Sequence, residues 1–306
     1  MMNRIDQWLM RPAPAARLAT LRILCASYAV IFLLVRIQSF WQATSLPSSR
    51  VEGVGVLWFL DERLPPSAMR VAIVACVVLG LLVIGGIRHR VTGPLFAILF
   101  LIVATYRLSF GHVIHTEHLI VIHLLIIGFS PAADARSLGT CRRNSGRGDV
   151  NDHERYGVPI RLMIVVLVIT YVLAGWAKIR HGGTDWLFGD VLRNQVAYDN
   201  LRKELLGSPH SPLGGWLVRF DWLFPPAAIA TSVVELGAIV VLADDRRTRW
   251  VWAIGAWAFH AGVLATMAIS FPYPLSFVAY APLFAVEHLR PMRRRAFTRR
   301  PMVPQR

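Results

Sequence analysis

The sequence has few acidic residues, few cysteines and no long polar stretch of the size of a soluble domain. Among its 306 residues, Asp and Glu number 18 against 33 Lys and Arg. The spacing of the three cysteines fits neither a zinc site nor a disulfide framework. Cys25 and Cys76 lie within apolar runs and Cys141 in a basic loop, and we expect small apolar fillers rather than reactive thiols.

The shortage of acidic residues leaves a formal net charge of +15. In a soluble chain this excess would indicate nucleic-acid binding. Here the arginines cluster between apolar runs and near residue 306, where positive charge fixes membrane orientation and meets anionic headgroups. No basic and aromatic platform stands outside the apolar runs, so we do not expect a nucleic-acid partner.

The sequence is rich in long hydrophobic runs. Hydrophobic residues make up 55% of the chain and the mean hydropathy is +0.49. Several unbroken runs reach the roughly 20 residues that a helix needs to cross the hydrocarbon core. We therefore predict an all-α fold, a polytopic transmembrane helical bundle of about eight spans. The predicted spans are roughly 18–40, 68–87, 91–110, 114–129, 160–178, 222–243, 250–270 and 273–288.

A full-length span follows the polar, basic start of the chain, so we expect a retained anchor and no cleaved signal peptide. With eight spans, every strongly basic segment falls on one side. The positive-inside rule then places both termini in the cytoplasm. We expect a multi-pass protein of a cell membrane, with the bacterial cytoplasmic membrane as its location. These basic segments are 1–17, 88–90, 130–159, 246–249 and 289–306.

The predicted organisation is a cytoplasmic segment 1–17, a transmembrane domain 18–288 and a basic cytoplasmic tail 289–306. The mixed-charge segments 41–66 and 181–221 face the other side. Within 181–221, apolar residues recur near helical spacing and predict a helix lying in the membrane interface. These residues are Phe188, Val191, Leu192, Tyr198, Leu201 and Leu205.

Ionisable residues at membrane depth are costly and point to function. Lys178 ends the fifth span, where Ala174 and Gly175 allow a second helix to approach closely. One interpretation is a lysine that snorkels to an aromatic belt. The other is a lysine in an apolar pocket that acts as a base.

Histidines form a second group of candidates. His115 and His118 share one helix face near Glu117, and His112 and His123 flank them. Three interpretations stay open: interfacial histidines, a proton-handling site, or a metal or haem site. No matching cluster of cysteines or carboxylates accompanies them, so we predict no metal.

Glu235 in span six and His260 in span seven lie near the middle of the bilayer by residue count. They are interpreted either as partners in an interhelical hydrogen bond or as catalytic or proton-relay groups. Depth along the spans further predicts that Lys178, His118 and His260 border one cavity.

Three stretches carry a resemblance to a known family. They are YVLAGWAKIRHGGTDWLFGDVL (171–192), HTEHLIVIHLLIIGFSPAADARSLG (115–139) and FHAGVLATMAISFPYPLSFVAYAPLF (259–284). In this order they resemble the HTTM family, the bacterial membrane relatives of vitamin K-dependent gamma-carboxylase. The resemblance extends from Arg17 to about Phe284 and implies a gamma-carboxylase-like membrane core.

The resemblance places Lys178 as the catalytic base that deprotonates a reduced quinone, with His118 and His260 in supporting positions. It implies carboxylase- or epoxidase-like activity on a quinone-like or lipidic small molecule. The sequence departs from the carboxylase at Ala177, where the carboxylase has a second lysine, and at 181–183, which is an apparent insertion. The carboxylase also continues into a large lumenal region that binds its protein substrate, and we expect no equivalent here.

Three hypotheses for function follow. The first is a membrane enzyme with Lys178 as base. The second is a non-enzymatic membrane factor for the maturation or immunity of an exported peptide. A transporter ranks third, because neither an inverted repeat nor a set of broken helices is visible. Membrane lipids are expected partners under each hypothesis.

Overall fold

The computed structural model describes residues 3–111, 115–138 and 152–289. Within these ranges no strand forms beyond one isolated backbone bridge, and the prediction of an all-α fold is confirmed. In chain order the α-helices are α1 (Arg4–Leu9), α2 (Ala15–Val35), α3 (Ile37–Ala43), α4 (Pro66–Gly85), α5 (His89–Leu108), α6 (His118–Gly128), α7 (Glu154–Phe188), α8 (Val191–Leu205), α9 (Pro212–Leu217), α10 (Phe224–Leu236), α11 (Arg246–Met267) and α12 (Pro272–Leu275).

In the described part of the chain, six helical segments are long and apolar enough to cross a membrane. They correspond to six of the eight predicted spans. α2, α4, α5, α7 and α11 provide five of them. The sixth is α10 with the 3₁₀ turns on both sides of it, over Asp221–Ala243. The chain is therefore a multi-pass membrane protein.

The fourth predicted span is shorter than expected. α6 has 11 residues, which is about half the length that a crossing helix needs. The predicted span began at residue 114, but the helix begins at His118. Residues 112–114, including His112, lie outside the described ranges.

The prediction of a continuous helix over 273–288 is wrong. Only α12 is α-helical there, and 3₁₀ turns follow at Val278–Leu283 and Val286–His288. Pro282 has no backbone N–H to donate, and Phe277 has a left-handed backbone with φ of 66°, so an α-helix cannot continue through them. The segment nevertheless crosses the bundle, because Glu287 at its far end accepts two hydrogen bonds from Arg17 near the start of α2, at 2.9 and 2.8 Å.

The described parts of the predicted basic segments meet at one end of the bundle, which we call the basic end. Arg11 pairs with Asp244. The backbones of Ala13 and His153 form the isolated bridge. The Leu138 amide donates to a carbonyl at the end of α4, at 2.9 Å. The alternation of basic segments is thus reproduced, whereas the side of the membrane that this end faces remains a prediction.

The opposite end, which we call the Lys178 end, carries the segment predicted to be extramembrane, 181–221. α7 runs ten residues past its predicted end at Lys178, and α8 and α9 then cap α11. The helix predicted within this segment is present as α8. That α8 lies in the membrane interface remains a prediction.

Arg22 stabilises the basic end from inside α2. Its side chain is fully buried. It donates to the carbonyls of Ala132 at 2.9 Å, Ile84 at 3.3 Å and Arg136 at 2.7 Å. These carbonyls follow or end other helices, where backbone acceptors have no partner within the helix. One guanidinium therefore ties α2, α4 and the segment after α6 together.

We expect Arg22→Gln to lower the free energy of unfolding by about 1–3 kcal/mol, because it leaves buried carbonyls without donors. The measurement is unfolding of the purified protein in mixed detergent micelles. Arg90→Gln is the control, since Arg90 lies at the same end and is exposed. Equal stability of the two variants would contradict the role of Arg22.

Candidate functional site

The candidate site is built at the last turns of α7. Gly175 faces α10 there, and a Cβ at this position would lie 2.9 Å from Glu235 Cβ and 3.0 Å from Leu236 Cγ. Such contacts are closer than real Cβ atoms make, so the absent side chain lets the two helices approach. The close approach sets the distance between Lys178, one turn further along α7, and Glu235.

Lys178 and Glu235 form an ion pair between α7 and α10. The Lys178 Nζ donates to both carboxylate oxygens of Glu235, at 2.6 and 2.7 Å. The Glu235 side chain is 3% exposed and that of Lys178 is 26% exposed. The carboxylate is thus enclosed, and the ammonium lies at the edge of the protein interior.

A kink in α7 brings an aromatic ring over this pair. Gly183 has φ of 55° and ψ of −140° within the helix, a conformation that in practice requires glycine. After the kink, Trp186 donates through Nε1 to Ser232 Oγ at 3.1 Å. Its ring lies 5.3 Å from Lys178 Nζ, and the Phe259 ring of α11 lies 5.0 Å from the same atom. The cation therefore has one carboxylate and two aromatic faces around it.

His260 lies one residue beyond Phe259, in a buried chain of hydrogen bonds. Its Nε2 and the Tyr171 hydroxyl are 2.8 Å apart, and the Tyr171 and Tyr280 hydroxyls are also 2.8 Å apart. Nδ1 of His260 is buried and has no hydrogen-bond partner among the described residues. This nitrogen is a free polar contact in an aromatic environment formed by Phe259 and Phe271.

His118 contacts His115, its neighbour on the same segment. Its Nδ1 is hydrogen-bonded to the carbonyl of His115, and its ring packs on His115 with centroids 5.9 Å apart. The Phe271 ring contacts both His115 and His260, with centroids at 5.4 and 4.9 Å. Phe259 contacts both Lys178 and His260. That Lys178, His118 and His260 border one cavity remains a prediction.

The remaining candidate residues form hydrogen bonds or an ion pair within the bundle. His123 bonds to the Tyr273 hydroxyl at 2.8 Å and to the Met163 carbonyl at 3.2 Å, so both ring nitrogens have partners. Cys25, buried as predicted, lies 3.3 Å from the Tyr273 hydroxyl. Glu117 pairs with Arg107 at 2.7 Å. In residues 3–111, 115–138 and 152–289, no group of three His, Cys, Asp or Glu residues is arranged to hold a metal ion.

Two features of the site do not follow from the sequence analysis. The sequence marks Glu235 as a candidate residue but does not indicate that it pairs with Lys178. It also gives no sign that Tyr171, two turns before Lys178 on α7, bonds to His260 and Tyr280. The signal for the contact of α7 with α10 is the small residue Gly175, which faces Glu235 and Leu236.

The comparison with protein families agrees with this architecture. Residues 10–288 match the HTTM domain. The chain belongs to the HTTM domain family. Membership makes it a membrane protein of the gamma-carboxylase-related family, as the resemblance implied. No curated protein and no solved structure matches the chain.

The Lys178–Glu235 ion pair of this HTTM protein predicts how the stabilities of single and double variants differ. We expect Lys178→Met alone to cost about 3 kcal/mol, because it leaves the enclosed Glu235 carboxylate without a counter-ion. This is the low end for buried pairs because Lys178 is partly exposed. The double variant Lys178→Met/Glu235→Leu should be more stable than Lys178→Met, and unfolding in mixed micelles measures both. Additive losses would contradict the pair.

Gly175→Ala should weaken the contact between α7 and α10. The new Cβ meets Glu235 and Leu236, so we expect a loss of about 1–3 kcal/mol from overpacking. Gly262→Ala in α11 is the matched control, because a Cβ there meets nothing within 4 Å. That control should be neutral or gain up to about 1 kcal/mol of helix propensity. Thermal unfolding of both variants distinguishes packing from propensity.

Proposed function

We propose that this HTTM protein is a membrane enzyme that removes a proton from a lipophilic hydroxyl compound of the quinol class. Lys178 is the base in this proposal. The observation that carries it is the Lys178–Glu235 pair, in which a buried carboxylate of the Asp221–Ala243 span meets a lysine that lies against two aromatic rings. The pairing modifies the expectation of a lone neutral lysine, because a carboxylate now shares the proton.

The choice of residue at position 178 supports a role in proton transfer. Of the 33 basic residues, only Lys178 and Lys203 are lysines. Arginine holds its proton at all accessible pH values, whereas lysine can release its proton in an apolar environment. In a chain that otherwise uses arginine, the cation at the site is the type that can be deprotonated.

The Lys178–Glu235 pair accounts for each proton in the proposed step. Transfer of one proton from the Lys178 ammonium to the Glu235 carboxylate gives a neutral amine and a neutral acid, which a low dielectric favours relative to separated charges. The amine of Lys178 then accepts the proton of the substrate hydroxyl. The site ends with an ammonium beside the new oxyanion, and Glu235 keeps the first proton.

The side chains around Lys178 suit a quinol. Trp186 and Phe259 offer aromatic faces to the Lys178 ammonium, and the unpaired Nδ1 of His260 is a contact for a second hydroxyl or carbonyl oxygen. In this proposal His118, whose ring contacts His115, exchanges protons with the surroundings. A reduced quinone bound here would supply the acidic hydroxyl.

A non-enzymatic membrane factor is the second candidate, and one observation favours it. Both oxygens of Glu235 are already satisfied by Lys178, so the pair is complete as a structural lock between α7 and α10. In that case an exported peptide, not a small molecule, would be the partner.

Mass spectrometry of co-purified lipids and quinones separates the two candidates. We expect a quinone or related phenolic lipid with the natural protein and its loss, by tenfold or more, in the folded variant Lys178→Met/Glu235→Leu, since tenfold corresponds to about 1.4 kcal/mol of lost contact. Lys203→Met is the control, because the second lysine lies outside the site and should retain the compound. Absence of any such compound from all three proteins would contradict the enzyme and favour the membrane factor.

A further inference from the structure

α8 exposes large apolar side chains beside charged ones. Its protein-facing side carries Val196, Asn200 and Lys203, and its exposed side carries Tyr198, Leu201 and Leu205, with the exposed charged residues Arg202 and Glu204 beside them. The three outward residues follow i, i+3, i+7 spacing, which places them on one face. They are 68%, 56% and 78% exposed. An apolar face of this kind turned away from the protein core requires an explanation.

The inward face of α8 is fixed by hydrogen bonds to the end of α11. Asn200 Nδ2 donates to the Thr266 carbonyl at 2.8 Å, and Lys203 Nζ donates to the Met267 carbonyl at 2.6 Å. Ser211, just before α9, donates to the Ala265 carbonyl. The carbonyls at the end of a helix have no donors within that helix, and these hydrogen bonds supply donors to the last carbonyls of α11. They fix the rotation of α8 and leave its apolar face with no freedom to turn inward.

Further exposed apolar side chains lie on the elements next to α8. Phe188 ends α7 and Leu206 follows α8, and they are 67% and 68% exposed. Trp216 of α9 is 51% exposed, and Trp222, at the start of the Asp221–Ala243 span, is 67% exposed. Tryptophan and tyrosine are the residues that favour the headgroup level of a bilayer. Lipid is the occupant that fits exposed apolar and aromatic side chains on elements that adjoin a spanning segment.

We propose that α8 and α9 form a shelf inserted into the leaflet at the Lys178 end, with Tyr198, Leu201 and Leu205 immersed among acyl chains. The shelf follows directly after the α7 kink that carries Trp186. The proposal concerns the position of this surface and does not depend on the chemistry proposed for Lys178. It also goes beyond a helix resting at the interface, because the contacts with α11 specify which residues enter the lipid.

Two adjacent residues test the proposal. Leu205 and Glu204 are both exposed, and successive helix residues are separated by about 100° of rotation. Each is changed to Cys in a Cys141→Ser background, labelled with the fluorophore NBD and reconstituted in liposomes of phosphatidylethanolamine and phosphatidylglycerol. Cys25 and Cys76 are buried and free, so omission of the introduced cysteine measures background labelling.

We expect blue-shifted emission from the Leu205→Cys probe and a loss of its fluorescence when lipids with doxyl-labelled acyl chains are included. The Glu204→Cys probe should emit as in water and resist quenching. Tyr198→Cys provides a second probe of the apolar face, should the first variant fold poorly. Water-like emission from both apolar-face probes overturns the shelf and leaves a protein partner for that face. Equal quenching of the Glu204 and Leu205 probes overturns the stated rotation of α8.

Discussion

The ion pair between Lys178 and Glu235 is the interaction on which the Lys178 end of the bundle depends. A carboxylate this deep in an apolar bundle is tolerable only with a counter-ion and full hydrogen bonding. The absence of a side chain at Gly175 lets α7 and α10 approach to the spacing that this pair needs. After the kink at Gly183, the ring of Trp186 lies over the ammonium.

Positively charged side chains make different contacts at the two ends of the bundle. At the basic end, Arg22 satisfies three backbone carbonyls with a charge that is never lost. At the Lys178 end, Lys178 pairs with the Glu235 carboxylate and Lys203 donates to the Met267 carbonyl, while Arg193 donates to the Val218 carbonyl. Arginine therefore makes structural contacts at both ends, whereas both lysines lie at the Lys178 end.

The spans could be predicted because apolar length is a local property of the chain, and six of them appear where the sequence indicates. The partner of Lys178 could not, because Glu235 is 57 residues away and no periodicity links the two. Depth along each span predicts that His118 lies toward the same end as Lys178, but depth gives no lateral position, so the ring contacts of His115 with His118 and Phe271 could not be predicted. Pro282 disfavours a helix over 273–288, although the apolar content of that stretch favours one.

The irregular crossing at 272–288 has a consequence for the order in which the protein assembles. A helix satisfies its own backbone and can enter lipid alone, whereas 3₁₀ turns interrupted by proline leave carbonyls that need donors. Here the donors come from α11: Trp257 reaches the Leu275 carbonyl at 3.1 Å and Arg249 reaches the Leu283 carbonyl at 3.3 Å. We therefore expect this segment to take its place only after α11 has formed, because α11 supplies the donors that its carbonyls need.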